Sequence, residues 1–331
     1  MQPFDYIVPK DYAEASALLA AGNGAVRALQ GGTDLLIRIR GGFVKPRSVV
    51  DLKCLPGMRE IRLGAGGWLL IGAACTMNQV AAHPLVQRHY GILVEACNSV
   101  ASYQLRNRAT IGGNCCNASP AADGAPALYC MEATAETYGP NGARRIPIDD
   151  FFTGPGRTAL RPGEFLTAIH LPPSPPRAFG TYKKLGRTRI GDISVVSVAV
   201  YAWAGPQVED PVFFPRAGEA ETGFGDEGQK AKPGIEPAAH RSWRIILGAV
   251  GPTPLRAREA EAALAADCSP AGIAAAAELA AQAARPIDDI RASAAYRRAM
   301  VRVLTRRGIE TVLAPHGYTR AGPSAHKEAV A

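Results

Sequence analysis

Two stretches of this 331-residue chain carry groups that could act on a ligand: QGGTDLL at residues 30–36 and TIGGNCCNASPAAD at residues 110–123. Gly31 and Gly32 remove two side chains just before Thr33 and Asp34. Gly112 and Gly113 do the same before Asn114, and Asp123 offers a carboxylate further on. Glycine admits positive φ and lets main-chain N–H groups come close to an anion. Hydroxyl, amide and carboxylate groups beside such bare backbone suit a ligand with phosphates and sugars. Neither stretch is a standard fingerprint, because no Gly-x-Gly-x-x-Gly turn and no Gly-Lys-Ser/Thr occurs in either. Alone each reads as a turn; the pair, in this order, is the stronger signal.

The elements that must hold these loops can be read from periodicity and breakers. Asp11 with Glu14 resembles a capping box opening a helix at Tyr12–Ala21. A short strand at 25–30 delivers the first loop, a helix follows at Leu35–Arg40, and 48–52 (SVVDL) is a second strand. That is a small βαβ-like unit with its Gly loop at a strand's carboxyl end, where ligands bind in such sheets. Further on, 59–63 and 68–71 read as strands, and 76–82 and 92–101 as helices with Thr76 and Asn78 as candidate caps. A helix at about 121–131, a hairpin at 133–147 and a strand at Phe165–Leu171 complete this segment. The PPSPP run at 172–176 is a stiff break. Beyond it lie a Val-rich strand at 193–203 and a further strand at 243–250, then Ala-rich helices at 257–266, 270–284 and 292–313. In the last helix Tyr296, Met300, Val303 and Leu304 are expected to share the buried stripe. Residues 205–241 are dense in Gly, Pro and acids without any period, which suggests a surface insertion. The expected organisation is 1–57, 58–176, 177–315 and a polar tail at 316–331.

Composition narrows the function classes. Hydrophobic content of 47% with 20% charged residues describes a soluble globular protein. No apolar run is long enough to span a bilayer, and the acidic, h-region-free start is not a signal peptide, so the cytoplasm is expected. The net charge of +8 is diffuse and forms no basic stripe with aromatics, which argues against nucleic acid. Seven cysteines include no Cys-x-x-Cys pair, which argues against a zinc site or a cluster held by this chain, so no metal ligands are expected. Cys115 and Cys116 read as small wall residues, with a redox role as the lesser reading. His83, His89 and His170 have no partner pattern and read as structural.

The blocks around the two loops are more specific than the loops themselves. The chain opens FDYIVPKDYAEASALL, and GGTDLL is followed by SVVDLKCLPGM and LLIGAACTMNQVAAHP. QLRNRATIGGNCCNASPAADGAPAL then leads to DFFTGPGRTALRPGEFLTAIHLP and YKKLGRTRIGDISVVSVAV. This order of blocks, over about residues 2–204 and 242–312, resembles the medium, FAD-binding subunit of molybdenum hydroxylases. That family includes bacterial xanthine, carbon monoxide and nicotinate dehydrogenases. The resemblance implies an α+β fold of the vanillyl-alcohol-oxidase/PCMH type, with FAD held between two N-terminal units. A C-terminal domain with a three-stranded antiparallel sheet and helices would cap the flavin.

By the same resemblance Ala28, Leu29, Gln30, Gly31, Gly32, Thr33, Asp34 and Leu35 would wrap the FAD pyrophosphate. Thr110, Ile111, Gly112, Gly113 and Asn114 would form a second wall. Val100 and Ala101 would line the pocket, Asp123 would bond a ribose or ribityl hydroxyl, and Leu166 would pack near the isoalloxazine. Lys183 or Lys184 would lie at the flavin's polar edge, where a cation stabilises the negative charge of a reduced flavin; the resemblance leaves the choice open. No residue of this chain would be catalytic in its own right. Substrate would be hydroxylated at a molybdenum cofactor on a large partner subunit, and electrons would pass through [2Fe-2S] clusters of a small partner to FAD here. From there they would go to NAD⁺ or another acceptor, in a heterotrimer or its dimer. A stand-alone flavoprotein oxidase or dehydrogenase of the same superfamily is the rival reading. The uninterrupted run from TIGGN to ASPAAD leaves no room for the cluster-bearing insertion of 4-hydroxybenzoyl-CoA reductase.

Overall fold

In the computed structural model, which describes residues 2–175, 177–188, 191–204 and 241–314, the chain begins with a strand that its sequence does not announce, β1 (Asp5–Ile7). Helix α1 (Tyr12–Ala21) follows because Asp11 accepts the Glu14 N–H while the Glu14 carboxylate reaches back to the Lys10 N–H. Strand β2 (Val26–Leu29), helix α2 (Leu35–Arg40) and strand β3 (Ser48–Asp51) complete the first unit. Its sheet has the order β1-β3-β2 and is parallel throughout, with Asp5 and Val26 both opposite Ser48. The unit therefore has one strand more than a simple βαβ.

The second sheet is antiparallel, in the order β4-β5-β10-β6-β7. Its outer pair β4 (Ile61–Leu63) and β5 (Leu69–Gly72) precedes a helical stretch. That stretch contains α3 (Met77–Ala82), α4 (Pro84–His89), α5 (Gly91–Ser99), α6 (Tyr103–Arg106), α7 (Ile111–Asn117) and α8 (Gly124–Cys130). Thr76 and Gln79 form a capping box that starts α3, whereas Asn78 is not a cap and bonds across to Tyr103 and Asn107. The hairpin of β6 (Thr134–Gly139) and β7 (Gly142–Pro147) leads through α9 (Ile148–Phe151) into a small ribbon, β8 (Phe152–Gly154) with β9 (Arg157–Thr158). Strand β10 (Phe165–Leu171) then inserts at the sheet's centre, and all seven of its residues are buried.

The third sheet joins β11 (Phe179–Leu185), β12 (Val196–Ala204), β13 (Arg241–Gly248) and β14 (Leu255–Arg256), all antiparallel. It has four strands among the described residues where three were expected; the added strand is two residues long. On β12 successive residues face opposite ways, so Ala199 and Tyr201 join the core of the second sheet. Val196, Val198, Val200 and Ala202 pack instead under α10 (Arg258–Ala266), α11 (Pro270–Ala283) and α12 (Ala294–Leu313). Burial on both faces is why β12 reads as a nearly continuous apolar run.

Helix α12 corrects the expected stripe. Its buried face includes Arg297, Val301, Thr305, Gly308 and Ile309; of the expected stripe Leu304 is buried there, while Tyr296 is 48% exposed. Arg297 rotates inward because its guanidinium bonds the carbonyls of Val195 and Ala249 and the carboxylate of Asp289. Gly308 lies on β12, where a Cβ would stand 2.7 Å from Val200 Cγ2. The expected insertion at 205–241, apart from Arg241, and the tail at 316–331 lie outside the described residues, as does Pro176.

Candidate cofactor-binding cleft

Strand β2 ends at Leu29 and releases the chain into the first glycine loop at the carboxyl end of the parallel sheet. Gly32 has φ +77°, a conformation that L side chains rarely adopt. Helix α2 takes over through the bond from the Leu36 N–H to the Gly32 carbonyl. Among the described residues the N–H groups of Gly31, Gly32, Thr33 and Asp34 have no partner in the protein. Four neighbouring unpaired donors form a concave, anion-seeking surface.

The second stretch corrects the expectation of a second bare loop. Residues 111–117 are helix α7, started by Thr110, whose hydroxyl accepts the Gly113 N–H at 3.0 Å. The N–H groups of Ile111, Gly112 and Asn114 go to the carbonyls of Cys75, Ala73 and Thr110. These donors are therefore committed inside the protein. Gly112 is needed for packing: a Cβ there would stand 2.6 Å from both Cβ and O of Ala73.

The two stretches meet. Thr110 donates to Gln30 Oε1 at 3.2 Å, and Asn117 Nδ2 donates to Asp34 Oδ1 at 3.2 Å. Gly31 lies so close to the chain before α7 that a Cβ would be 2.2 Å from the Arg108 carbonyl oxygen. Between them opens a cleft of about 450 Å³. Ala28, Leu29, Gln30, Gly31, Gly32, Thr33, Asp34 and Leu35 all line it, as do Val100, Thr110, Gly113, Asn114 and Leu166. Ala101, Ile111, Gly112, Asp123, Lys183 and Lys184 do not.

Several wall residues escape sequence reasoning. Asn117 shares a helical face with Gly113 and Asn114, so the 3.6-residue period could have found it. Leu105, Leu160, Phe165 and Ile37 supply apolar walls, and nothing local marks them. Val100–Ala101 forms a strained turn, with Ala101 at φ +43°. Arg106 holds it by donating to the Val100 carbonyl at 2.9 Å and the Ala101 carbonyl at 3.4 Å.

Lys184 and Lys183 part company because β11 alternates. Tyr182 and Lys184 share the face that looks at Asp123: Lys184 Nζ donates to Asp123 Oδ2 at 2.7 Å, and Tyr182 OH to Oδ1 at 2.7 Å. Ser194 Oγ adds a third bond to Asp123 at 2.5 Å, and Lys184 also reaches the Ser99 carbonyl at 3.0 Å, next to cleft-lining Val100. Asp123 is 6% exposed and makes no capping bond to α8. Burial, together with the Asp123 charge, pushes the Tyr182 phenol well above its usual range. Burial likewise lifts the Cys116 thiol, on the cleft wall, to about 12 and raises Cys115 behind it. Both are protonated thiols at neutral pH, not nucleophiles.

Glu164 lines the cleft and is held by a two-pronged contact with Arg144, at 2.8 Å and 2.7 Å. The Arg161 N–H adds a third donor at 2.8 Å. Hydrogen bonding from Arg144 lowers the Glu164 pKa despite partial burial. A lowered folded-state pKa contributes stability that is present above the unfolded value and lost as pH falls through the folded one. Glu164→Gln is accordingly expected to cost about 1–2 kcal/mol at neutral pH. The difference from the parent should vanish below the ordinary glutamate range, which urea midpoints measured along a pH series would show.

An apolar slot with a row of unpaired N–H groups at one end fits a flat aromatic ligand that carries phosphates, as FAD does. The family profile described as the FAD binding domain in molybdopterin dehydrogenase matches residues 2–174. That of the CO dehydrogenase flavoprotein C-terminal domain matches residues 236–312. The xanthine dehydrogenase FAD-binding subunit of Escherichia coli O157:H7 is 31% identical over 301 residues, covering 90% of this chain and 92% of that protein. The carbon monoxide dehydrogenase medium chain of Hydrogenophaga pseudoflava is 34% identical over 197 residues, 60% of this chain and 68% of that one. Among solved structures, a chain of reconstituted CO dehydrogenase from Oligotropha carboxidovorans superposes with a TM-score of 0.81 at 30% identity, over 95% of this chain and 98% of that one.

Proposed function

The chain belongs to the family of FAD-binding subunits of molybdopterin dehydrogenases, and from that premise we propose that it is the electron-transferring subunit of a cytoplasmic multi-subunit molybdenum hydroxylase. FAD, when bound, supplies a redox centre that exchanges electrons with a neighbouring cluster and with a soluble acceptor. The cluster would be a [2Fe-2S] centre on a small partner, fed from a molybdenum cofactor on a large one, in a heterotrimer or its dimer. The acceptor would be NAD⁺ or a comparable carrier. The three sheets would mark three units, divided near residues 57 and 176 and joined by the cofactor.

The observation that carries this reading is the row of four unpaired N–H groups from Gly31 to Asp34 at the end of an apolar cleft of about 450 Å³. These donors would hold the pyrophosphate, with the Thr33 hydroxyl beside them. Gly113 and Asn114 would close over the same group from α7, while Leu105, Phe165 and Leu166 would exclude water from the rings. Lys184 would present its charge beside Val100 at the flavin's polar edge, and Asp123 would keep it there. None of these groups needs to move a proton; their work is binding, orientation and tuning of the potential.

Native purification tests the proposal. The expected product is yellow and contains two further chains, one with molybdenum and one with [2Fe-2S] clusters. A colourless protein that purifies alone would overturn it. Because the two cysteines nearest the cleft are protonated thiols, FAD is expected to be held without a covalent bond. Acid precipitation should leave all the flavin in the supernatant, and flavin in the pellet would instead favour a covalent oxidase of the wider superfamily.

A further inference from the structure

A second cleft, of about 260 Å³, shares the Thr110 wall with the cofactor cleft and draws its lining from the first unit and the second. Its charged lining is Lys53, Arg59 and Arg108, and among the described residues no acidic side chain lines it. Lys53 is tied to Asp51, a carboxylate that also takes the Tyr6 hydroxyl. Arg59 and Arg108 make no ion pair among the described residues.

The neutral groups of this cleft are donors as well. Gln79 Oε1 is fixed on the Thr76 N–H at 2.9 Å, which leaves its amide NH₂ unpaired. Thr76 Oγ1 accepts the Gln79 N–H at 3.2 Å, which leaves its O–H proton free to donate. The third orientation is set by a chain of bonds. The Tyr103 carbonyl can only accept, so Asn78 must turn its NH₂ there, at 3.0 Å, and its Oδ1 takes Arg106 Nε at 3.1 Å. The second Asn78 N–H goes to Asn107 Oδ1 at 2.7 Å, and the Asn107 NH₂ is thereby left unpaired. Two guanidinium groups and three neutral donors surround the cavity, and the side-chain oxygens of Gln79, Thr76 and Asn107 each already accept a bond.

We propose that this cleft is an anion site that takes the phosphate group of a small phosphorylated molecule. Paired Arg side chains recognise tetrahedral oxyanions through several parallel N–H bonds, and the amide and hydroxyl donors match the remaining oxygens. A cation finds no carboxylate among the residues that line the cleft. The volume exceeds what an orthophosphate fills, leaving room for the body of a phosphate ester. The inference stands apart from the proposed function: the clefts share Thr110, but none of the donors invoked here would hold FAD.

The test is calorimetric titration of the full-length protein, natively purified and saturated with FAD so that the first glycine loop is filled. Orthophosphate and AMP are titrated separately, at constant ionic strength set with chloride. Saturable binding of one equivalent is expected, weakened about tenfold or more in Arg59→Gln/Arg108→Gln. Asn107→Asp keeps the acceptor that Asn78 needs but replaces the donor by a negative oxygen, and it should abolish binding while leaving the thermal midpoint and flavin content unchanged. Tighter binding of AMP than orthophosphate identifies a phosphate ester as the ligand; equal binding identifies free phosphate. The proposal is overturned if neither ligand binds, or if binding survives both variants.

Discussion

Gly31→Ala should give a folded protein that has lost nearly all its FAD. The added Cβ would sit 2.2 Å from the Arg108 carbonyl oxygen and about 3 Å from backbone atoms of residues 108 and 109. Those neighbours are main chain and cannot rotate away, so the loop itself must lift by roughly an ångström. Lifting it stretches the bond from Thr110 to Gln30 and swings the free N–H groups out of line. Losing two charge-assisted bonds to a pyrophosphate, at about 1.5–3 kcal/mol each, corresponds to a fall in affinity of at least ~100-fold. Overpacking should cost the fold only about 1–3 kcal/mol. Gly113→Val reaches the same outcome differently: its Cβ would meet the Thr110 hydroxyl at 2.8 Å and lean toward Gln30 Oε1, into the cleft, with no backbone collision. Gly42→Ala is the control. Gly42 has φ +76° and nothing within 4 Å of the added atom, so the substitution costs about 1–2 kcal/mol of strain and no flavin. Flavin-to-protein ratio after gel filtration, with a fluorescence titration of FAD, reads all three. A stoichiometric flavin content in Gly31→Ala would remove the first loop from the phosphate site.

The first loop was legible in the sequence because everything that shapes it is local. Gly32 supplies the positive φ, β2 precedes it, and α2 follows within three residues. TIGGN looked like an equivalent loop and is not one, because the partners that consume its donors, Ala73 and Cys75, lie some forty residues earlier in sequence. Glycine pairs carry two meanings, free donors or close packing, and only the fold separates them. The same limit applies to Glu95, which sequence reading passed over. Its carboxylate accepts Thr181 Oγ1 and the Tyr182 N–H across more than eighty residues, so it pins β11 to α5. By contrast, which of Lys183 and Lys184 faces Asp123 follows from β-strand alternation once the partner face is known. That face is set by Asp123, itself far away in sequence. Buried Arg297 shows the converse error: hydrophobicity alone assigned the wrong phase to α12, because a guanidinium with three oxygen partners belongs inside.

Asp123→Ala is the substitution expected to cost the fold most. It would remove the acceptor of three donors at once, Tyr182, Ser194 and Lys184, in a position 6% exposed. The Lys184 amine, whose side chain is 13% exposed, would keep only the Ser99 carbonyl. Stranding a buried cation in this way costs about 3–5 kcal/mol. Lys184→Met should cost less, because Asp123 would retain two hydroxyl donors. In Asp123→Ala/Lys184→Met neither charge is left unpaired, so the double variant should be more stable than the two single losses added together, by about 1–3 kcal/mol. Urea midpoints of the flavin-free proteins measure all three terms without any contribution from the cofactor. If the single losses simply add, the pair is not a coupled unit and Asp123 cannot be what holds Lys184. If they couple, Lys184→Met supplies the functional half of the argument. With the amine gone from beside Val100, the flavin potential should become more negative, because a cation favours the form carrying more negative charge. Lys183→Met, on the opposite face of β11, should leave both the stability and the potential where they were.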